Sequence, residues 1–254
     1  MAADLQPHRS RSWRNATTKA EDPATCAMQV ETSCTVSAYA PLVEALGCHV
    51  VSTDELTGIQ ALERAAPTTP MRAGCPERRE HASIRHGTRS RMATCNVATG
   101  AVLAPTLGPT RTEADFAAHS AQTIATDPDA RWLVLADNRN THHSETLVRL
   151  VASHCALAAD LGVKGVSGIL HAMATRAAFL SDPAQRIQFL STPKHTSWRN
   201  QIKRWCSILV RRVRKRGNFA SLDALRDRIL AFIASCNQTA HPFRWTATGR
   251  ALCL

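Results

Sequence analysis

Two short apolar segments, each followed by an aspartate, constrain the fold of this chain more than any other feature. Residues 49–53 precede Asp54, and residues 131–136 precede Asp137. Apolar runs of this length predict buried strands. Because the strands of an α/β sheet end at a shared edge, we expect Asp54 and Asp137 to lie close together.

Patterns elsewhere in the chain predict further strands and helices. The strand predictions are 92–97 and 101–105, joined by a turn at 98–100, and 187–190. The helix predictions are 112–126, 144–158, 197–214 and a last helix capped by Ser221. Strands that alternate with helices indicate an α/β fold, in which a mixed central sheet is flanked by helices.

Two regions show little periodicity. Residues 64–91 are rich in Pro, Arg and Gly, which predicts a loop or an extended arm. Residues 1–47 predict an irregular or weakly helical lead-in. We therefore expect one folded domain over residues 48–254.

Positive charge is concentrated in one part of the chain. The formal net charge is +11, and the segment from Pro183 to Leu222 holds ten Lys or Arg and no Asp or Glu. Such a segment attracts polyanions, of which nucleic acid is the commonest, although a solvated basic helix face is the alternative interpretation. The candidate DNA-binding residues are Lys194, Arg204, Arg211, Arg212, Arg214, Lys215 and Arg216.

The cysteines and the hydropathy indicate a cellular compartment. Nine cysteines are scattered without a C-x-x-C spacing, which favours reduced thiols over disulfides or a zinc site. The N-terminus has no apolar signal segment, and no stretch reaches membrane-span length. We expect a cytoplasmic protein with no membrane partner.

The two aspartates are candidate metal ligands. Adjacent carboxylates repel each other, so a divalent cation between them is favoured, and Mg²⁺ suits oxygen ligands. A pair of such ions can activate water and stabilise the leaving oxygen in phosphodiester cleavage. An aspartate after a strand is also a common turn residue or helix cap, so the residues alone leave both interpretations open.

Four segments resemble, in the same order, the motifs of mariner-related insertion-sequence transposases. They are STDELTGIQALER (52–64), LADNRNTHHS (135–144), the tract at 191–219 that contains SWRNQIKRW, and the C-terminal tract at 229–249. The resemblance implies an RNase H-like fold holding an Asp-Asp-Glu triad on two Mg²⁺ ions. The implied reaction is DNA cleavage at element ends followed by strand transfer into target DNA, with homodimers acting on paired ends.

The resemblance also assigns roles to single residues. Asp54 and Asp137 match the first and second catalytic metal ligands. Asn138 and His142 match the second motif as supporting residues, or are simply turn and helix-start residues. Lys203 stands at the family's glutamate position, with no acid nearby to replace it. A DDE transposase with little or no activity as written is therefore expected.

Two further expectations concern the whole chain. Residues 7–15 resemble a segment that follows a helix-turn-helix region in relatives, so residues 1–47 are expected to be the remnant behind a missing end-binding region. The rival hypotheses are a non-catalytic DNA-binding remnant that acts through the basic helix 194–216, and another RNase H-like nuclease that works with two carboxylates.

Overall fold

Five strands form one mixed sheet in the computed structural model, which describes residues 23–157, 160–192, 200–214 and 217–243. The strands are β1 (Cys48–Arg64), β2 (Ser83–Asn96), β3 (Val102–Gly108), β4 (Arg131–Asp137) and β5 (Ile187–Thr192). Their order across the sheet is β3-β2-β1-β4-β5. The pairs β1–β2 and β2–β3 are antiparallel, whereas β1–β4 and β4–β5 are parallel. The predicted mixed sheet is confirmed.

Helices cover both faces of this sheet. They are α1 (Pro23–Ala45), α2 (Glu113–Ile124), α3 (Glu145–His154), α4 (Met173–Leu180), α5 (Gln201–Leu209), which continues as a π-helical turn (Val210–Arg214), and α6 (Leu222–Gln238). The helices α2, α3 and α4 share a hydrophobic cluster with one face. On the other face, α5 and α6 cover β1, β2 and β3, and α1 packs against the opposite half of the sheet.

Three helices begin where the sequence predicts. The Thr112 side chain accepts a hydrogen bond from the Asp115 amide, and the Asp115 side chain accepts one from the Thr112 amide, forming a capping box for α2. Ser144 caps α3 and Ser221 caps α6 through their hydroxyl oxygens. Because a cap depends on residues within one turn, it can be predicted from sequence alone.

The turn of the β2–β3 hairpin is also confirmed. Asn96 accepts hydrogen bonds from the amides of Ala98 and Thr99 through its side chain. Gly100 has a φ of +77°, and a Cβ there would lie 2.1 Å from the His241 carbonyl oxygen. Both the conformation and the contact require glycine.

Two predictions about irregular structure hold only in part. The loop or extended arm predicted at 64–91 is irregular over 65–82, but residues 83–91 belong to β2, which pairs with β1 as far as Arg64. A register shift near Gly58, with a φ of +70°, carries β1 through its bend. This pairing joins segments that are distant in sequence, so local composition does not reveal it.

The second prediction was an irregular or weakly helical lead-in over 1–47. Its helical alternative holds for residues 23–45, which form one helix of 23 residues that is longer and more regular than predicted. Ala40 of α1 is fully buried against the sheet, whereas Tyr39 and Leu42 are exposed. Apolar residues therefore occur on several sides of α1 and leave no single stripe to read. Residues 1–22 and 197–199, which belong to the predicted lead-in and basic helix, lie outside the described residues. In the described part of the chain, no helix is long and apolar enough to cross a membrane.

Candidate active site

The parallel pairing of β1 and β4 brings the two predicted aspartates together. The pairing runs from Cys48–Arg131 to Ser52–Leu135, and Asp54 and Asp137 each lie two residues further along their strands. Alternation along a strand places both side chains on the face that α5 covers. The predicted convergence of these two residues is therefore present in the structure.

Lys203, from the first turn of α5, contacts both carboxylates. Its Nζ atom lies 3.2 Å from Oδ2 of Asp54 and 3.1 Å from Oδ2 of Asp137. The side chains are 7% exposed for Asp54, 14% for Asp137 and 28% for Lys203. The three positions that the sequence motifs indicated thus form one cluster, with an ammonium group in contact with both acids.

The charges in this cluster alter one another's pKa values. Burial raises the pKa of Asp54, and the opposing charge of Lys203 only partly offsets that rise. Burial alone would lower the pKa of Lys203, but the two carboxylates outweigh it and raise that pKa. Lys203 therefore remains a cation where the family motif has an acid.

A second set of contacts surrounds Asp137. His142 places Nδ1 2.6 Å from the Asp137 carbonyl oxygen and 3.0 Å from its Oδ1, and Nε2 3.3 Å from Oε1 of Glu55. Arg139 lies 3.1 Å from a carboxylate oxygen of each acid, Glu55 and Asp137. The motif residue His142 therefore contacts the site. Asn138 directly follows β4 and is partly exposed.

These contacts make His142 a buried cation. Burial alone would lower its pKa, but hydrogen bonds to Asp137 and Glu55 raise the pKa of His142 to about 9. Burial would raise the pKa of Asp137, yet the hydrogen bond from His142 and the neighbouring cations bring that pKa well below its usual range. The pKa of Glu55 is lowered for the same reason, since His142 and Arg139 outweigh its burial.

The cluster is therefore neutralised by the chain's own side chains. Its acids are Asp54, Glu55 and Asp137, and its cations are Arg139, His142 and Lys203. Among the described residues, no group of three or more His, Cys, Asp or Glu is arranged to hold a metal ion. The residues present do not fit a two-metal centre, because an ammonium group contacts both carboxylates that would share the ions.

Sequence reasoning missed two members of this cluster. Glu55 directly follows Asp54, so strand alternation points it to the opposite face, where His142 lies. Arg139 lies within the same motif as Asp137 and His142. The alternation at Glu55 was a usable signal, but the pairing of Arg139 with both acids depends on the turn after β4.

The basic segment divides into internal and exposed residues. Arg186 donates hydrogen bonds to the carbonyls of Ala130 and His154, and Lys203 belongs to the acidic cluster. Four arginines of this segment are exposed and make no ion pair with any described residue: Arg204, Arg211, Arg212 and Arg214. We call these four residues the arginine surface. The other candidates, Lys194, Lys215 and Arg216, lie outside the described residues.

The structure describes the side chains of seven cysteines. None of the seven forms a disulfide with another described residue.

Several solved structures are similar to this chain. The crystal structure of the Mos1 mariner paired-end complex with Mn matches at a TM-score of 0.50 and 11% identity, over 89% of this chain and 59% of that one. A pre-cleavage Mos1 transpososome matches at 0.49 and 11%, over 92% and 60%. The catalytic domain of Mos1 mariner transposase matches at 0.46 and 9%, over 85% and 83%. A search of curated proteins found no match.

These likenesses concern the fold, and the family follows from the sequence. The match to the paired-end complex confirms the predicted RNase H-like fold, although the chain spans only 59% of that relative's length. Residues 49–226, well over half of the chain, match the family described as DDE superfamily endonuclease. The chain therefore belongs to the DDE superfamily endonucleases and has the fold of the mariner transposases, as its motifs predicted.

Proposed function

We propose that residues 48–254 are the catalytic domain of a mariner-related transposase whose metal-dependent DNA cleavage and strand transfer are impaired by Lys203. Asp54 and Asp137 stand at the first two ligand positions, and Lys203 stands at the third. One observation carries the proposal: the Lys203 ammonium lies within 3.2 Å of both carboxylates.

The electrostatic cost of this ammonium is large. The superfamily generally uses divalent metals, and we propose Mg²⁺ for an intact site. At about 4 Å and an effective dielectric constant near 20, each pair of unit charges contributes about 4 kcal/mol. A divalent ion next to the Lys203 ammonium would thus be repelled by about twice that energy. A glutamate at position 203 would instead attract the ion by a similar amount.

Nicking of supercoiled plasmid tests the proposal. The chain as written, Lys203→Glu and Lys203→Glu/Asp137→Asn are compared with Mg²⁺ and with Mn²⁺. We expect cutting only by Lys203→Glu, since the double variant restores one ligand and removes another. Equal cutting by the chain as written would show that Lys203 does not impair the site.

Partners and location follow from the same proposal. The likeness to the Mos1 paired-end complex and the DDE family both support DNA as a partner. We further propose that this DNA is the element ends and the target, and that the protein acts on paired ends as a homodimer. We also propose a cytoplasmic location, which is supported by the scattered cysteines without a C-x-x-C spacing. We further propose that residues 1–47 stand where relatives carry the segment behind their end-binding region.

A second candidate function is DNA binding without catalysis, through the arginine surface. Its supporting observation is that Arg204, Arg211, Arg212 and Arg214 are exposed on one continuous helical segment and make no ion pair with a described acid. Guanidinium groups of this kind contact phosphates and produce strongly salt-dependent binding.

Titrations of duplex DNA at several salt concentrations separate this candidate from the first. Arg211→Ala/Arg212→Ala/Arg214→Ala should weaken binding and flatten the slope of log affinity against log salt by about 2–3. A control that removes three exposed arginines elsewhere in the chain, Arg78, Arg85 and Arg111, should change the slope less. Binding that is lost in Asp54→Ala would count against this candidate.

A further inference from the structure

We propose that Asn200 is a positioning residue, which holds position 203 over the Asp54–Asp137 pair. The inference rests on the proposed function, because it concerns the third ligand position of that site. It implies that the backbone geometry of the site is intact although its third ligand has been replaced.

Three buried hydrogen bonds connect the start of α5 to β1. The Ser52 hydroxyl donates to Oδ1 of Asn200, and Nδ2 of Asn200 donates to the Thr53 carbonyl at 2.8 Å. The Ile202 amide donates to the Ser52 hydroxyl oxygen at 3.0 Å. Ser52 and Ile202 are fully buried and Asn200 is 1% exposed, so water does not compete for these bonds. We call this set of bonds the Asn200 latch.

The Asn200 latch joins the two halves of the site. Ser52 and Thr53 directly precede Asp54 on β1. Asn200 lies three positions before Lys203, and its carbonyl accepts the Lys203 amide at 3.0 Å, which begins α5. Because positions three apart lie on the same side of a helix, a side chain that holds residue 200 against β1 also directs residue 203 toward Asp54.

The chemistry of the Asn200 latch requires an amide side chain. Asn200 accepts through its oxygen and donates through its nitrogen in the same plane. An aspartate of the same shape has no donor, and its charge would face the Thr53 carbonyl. Asn200→Asp therefore breaks the latch with little change in volume, which separates hydrogen bonding from packing.

Asn237 offers a control for the chemical change. Its side chain accepts from the Val102 amide and donates to the Val102 carbonyl, both at 2.9 Å, and so ties α6 to β3. Asn237→Asp makes the same exchange of an amide for a carboxylate in a helix-to-strand bridge that is more exposed than the Asn200 latch and does not touch the acidic cluster.

Calorimetric titration with Mn²⁺ measures the effect on the ligand position in a Lys203→Glu background. We expect Lys203→Glu to bind Mn²⁺, and Asn200→Asp in that background to weaken binding by roughly 10- to 100-fold, as for other residues that orient metal ligands. Asn237→Asp should leave the affinity unchanged. Equal affinities with and without Asn200→Asp would overturn the inference.

Amide hydrogen exchange tests the Asn200 latch in the chain as written, without any metal. Asn200→Asp should speed exchange of the Ile202 and Lys203 amides by about tenfold and leave the α6 amides unchanged. Ser52→Ala, which removes the central hydroxyl, serves the same test if Asn200→Asp does not fold. If Asn200→Asp speeds exchange but Lys203→Glu binds no Mn²⁺, the latch is supported and the assignment of the metal site is refuted. If Asn200→Asp leaves the exchange rates unchanged, the latch is overturned.

Discussion

Replacing Lys203 with methionine removes the ammonium from the acidic cluster and keeps a side chain of similar length. In the structure this ammonium lies 3.2 Å from Asp54 and 3.1 Å from Asp137, whose side chains are only 7% and 14% exposed. The variant therefore leaves two buried carboxylates next to each other without the cation that contacts both.

The size of the effect follows from opposing contributions. Each ion pair contributes about 4 kcal/mol at an effective dielectric constant near 20, but desolvation of the three groups offsets most of that gain. Removal of one partner keeps the desolvation cost and loses the attraction, which typically destabilises a protein by about 3–5 kcal/mol. Because one carboxylate can take up a proton in response, we expect the lower end, about 3 kcal/mol.

Urea and thermal unfolding at neutral pH, with EDTA present, measure this loss. A domain of this size should melt about 6–12 °C lower for a loss of about 3 kcal/mol. Arg211→Met is the control, since Arg211 is exposed and makes no ion pair with any described residue, and it should change stability by less than about 0.5 kcal/mol. Unfolding of Lys203→Met at the same urea concentration as the unaltered chain would refute the reasoning.

Two further predictions concern buried basic groups. Arg91 is fully buried over the Trp205 ring, and no described residue accepts a hydrogen bond from its Nε and Nη1 atoms. Arg91→Met should therefore raise the free energy of unfolding by about 1–4 kcal/mol; urea curves showing a loss would contradict this. Burial, together with the charge of Arg91, lowers the pKa of His119 to about 4, so the folded protein keeps this ring neutral while the unfolded chain protonates it. The free energy of unfolding should therefore be independent of His119 above about pH 6.5 and fall by about 3 kcal/mol as the pH drops toward 4. In His119→Gln, unfolding measured between pH 7 and 4 should no longer show this loss of stability. A slope that persists in the variant would assign the effect to other groups.

Most strands and helices of this fold could be predicted because their signals are local. The capping box at Thr112 and the apolar run before Asp137 each involve residues that are neighbours in the chain. The helix α1 and the extension of β1 beyond Asp54 could not be predicted, because their stability comes from partners far away in sequence. Propensity is a weak guide when distant packing decides the structure.

The sequence by itself determined which residues could form the site. Two aspartates that follow apolar runs, a lysine at the third motif position and a histidine in the second motif are all visible in the sequence, and strand alternation separates Asp54 from Glu55. These features depend only on the order of residues and on the period of each secondary structure.

Only the tertiary structure decided what those residues do to one another. Parallel pairing of β1 and β4 sets Asp54 beside Asp137, and the bonds from Asn200 to β1 bring Lys203 into contact with both. Charge interactions depend on distance and burial, which the order of residues does not specify. For that reason an acidic pair with a lysine at the third position could be predicted from the sequence, whereas the contact of Lys203 with both acids and the further neutralisation by His142 and Arg139 could not.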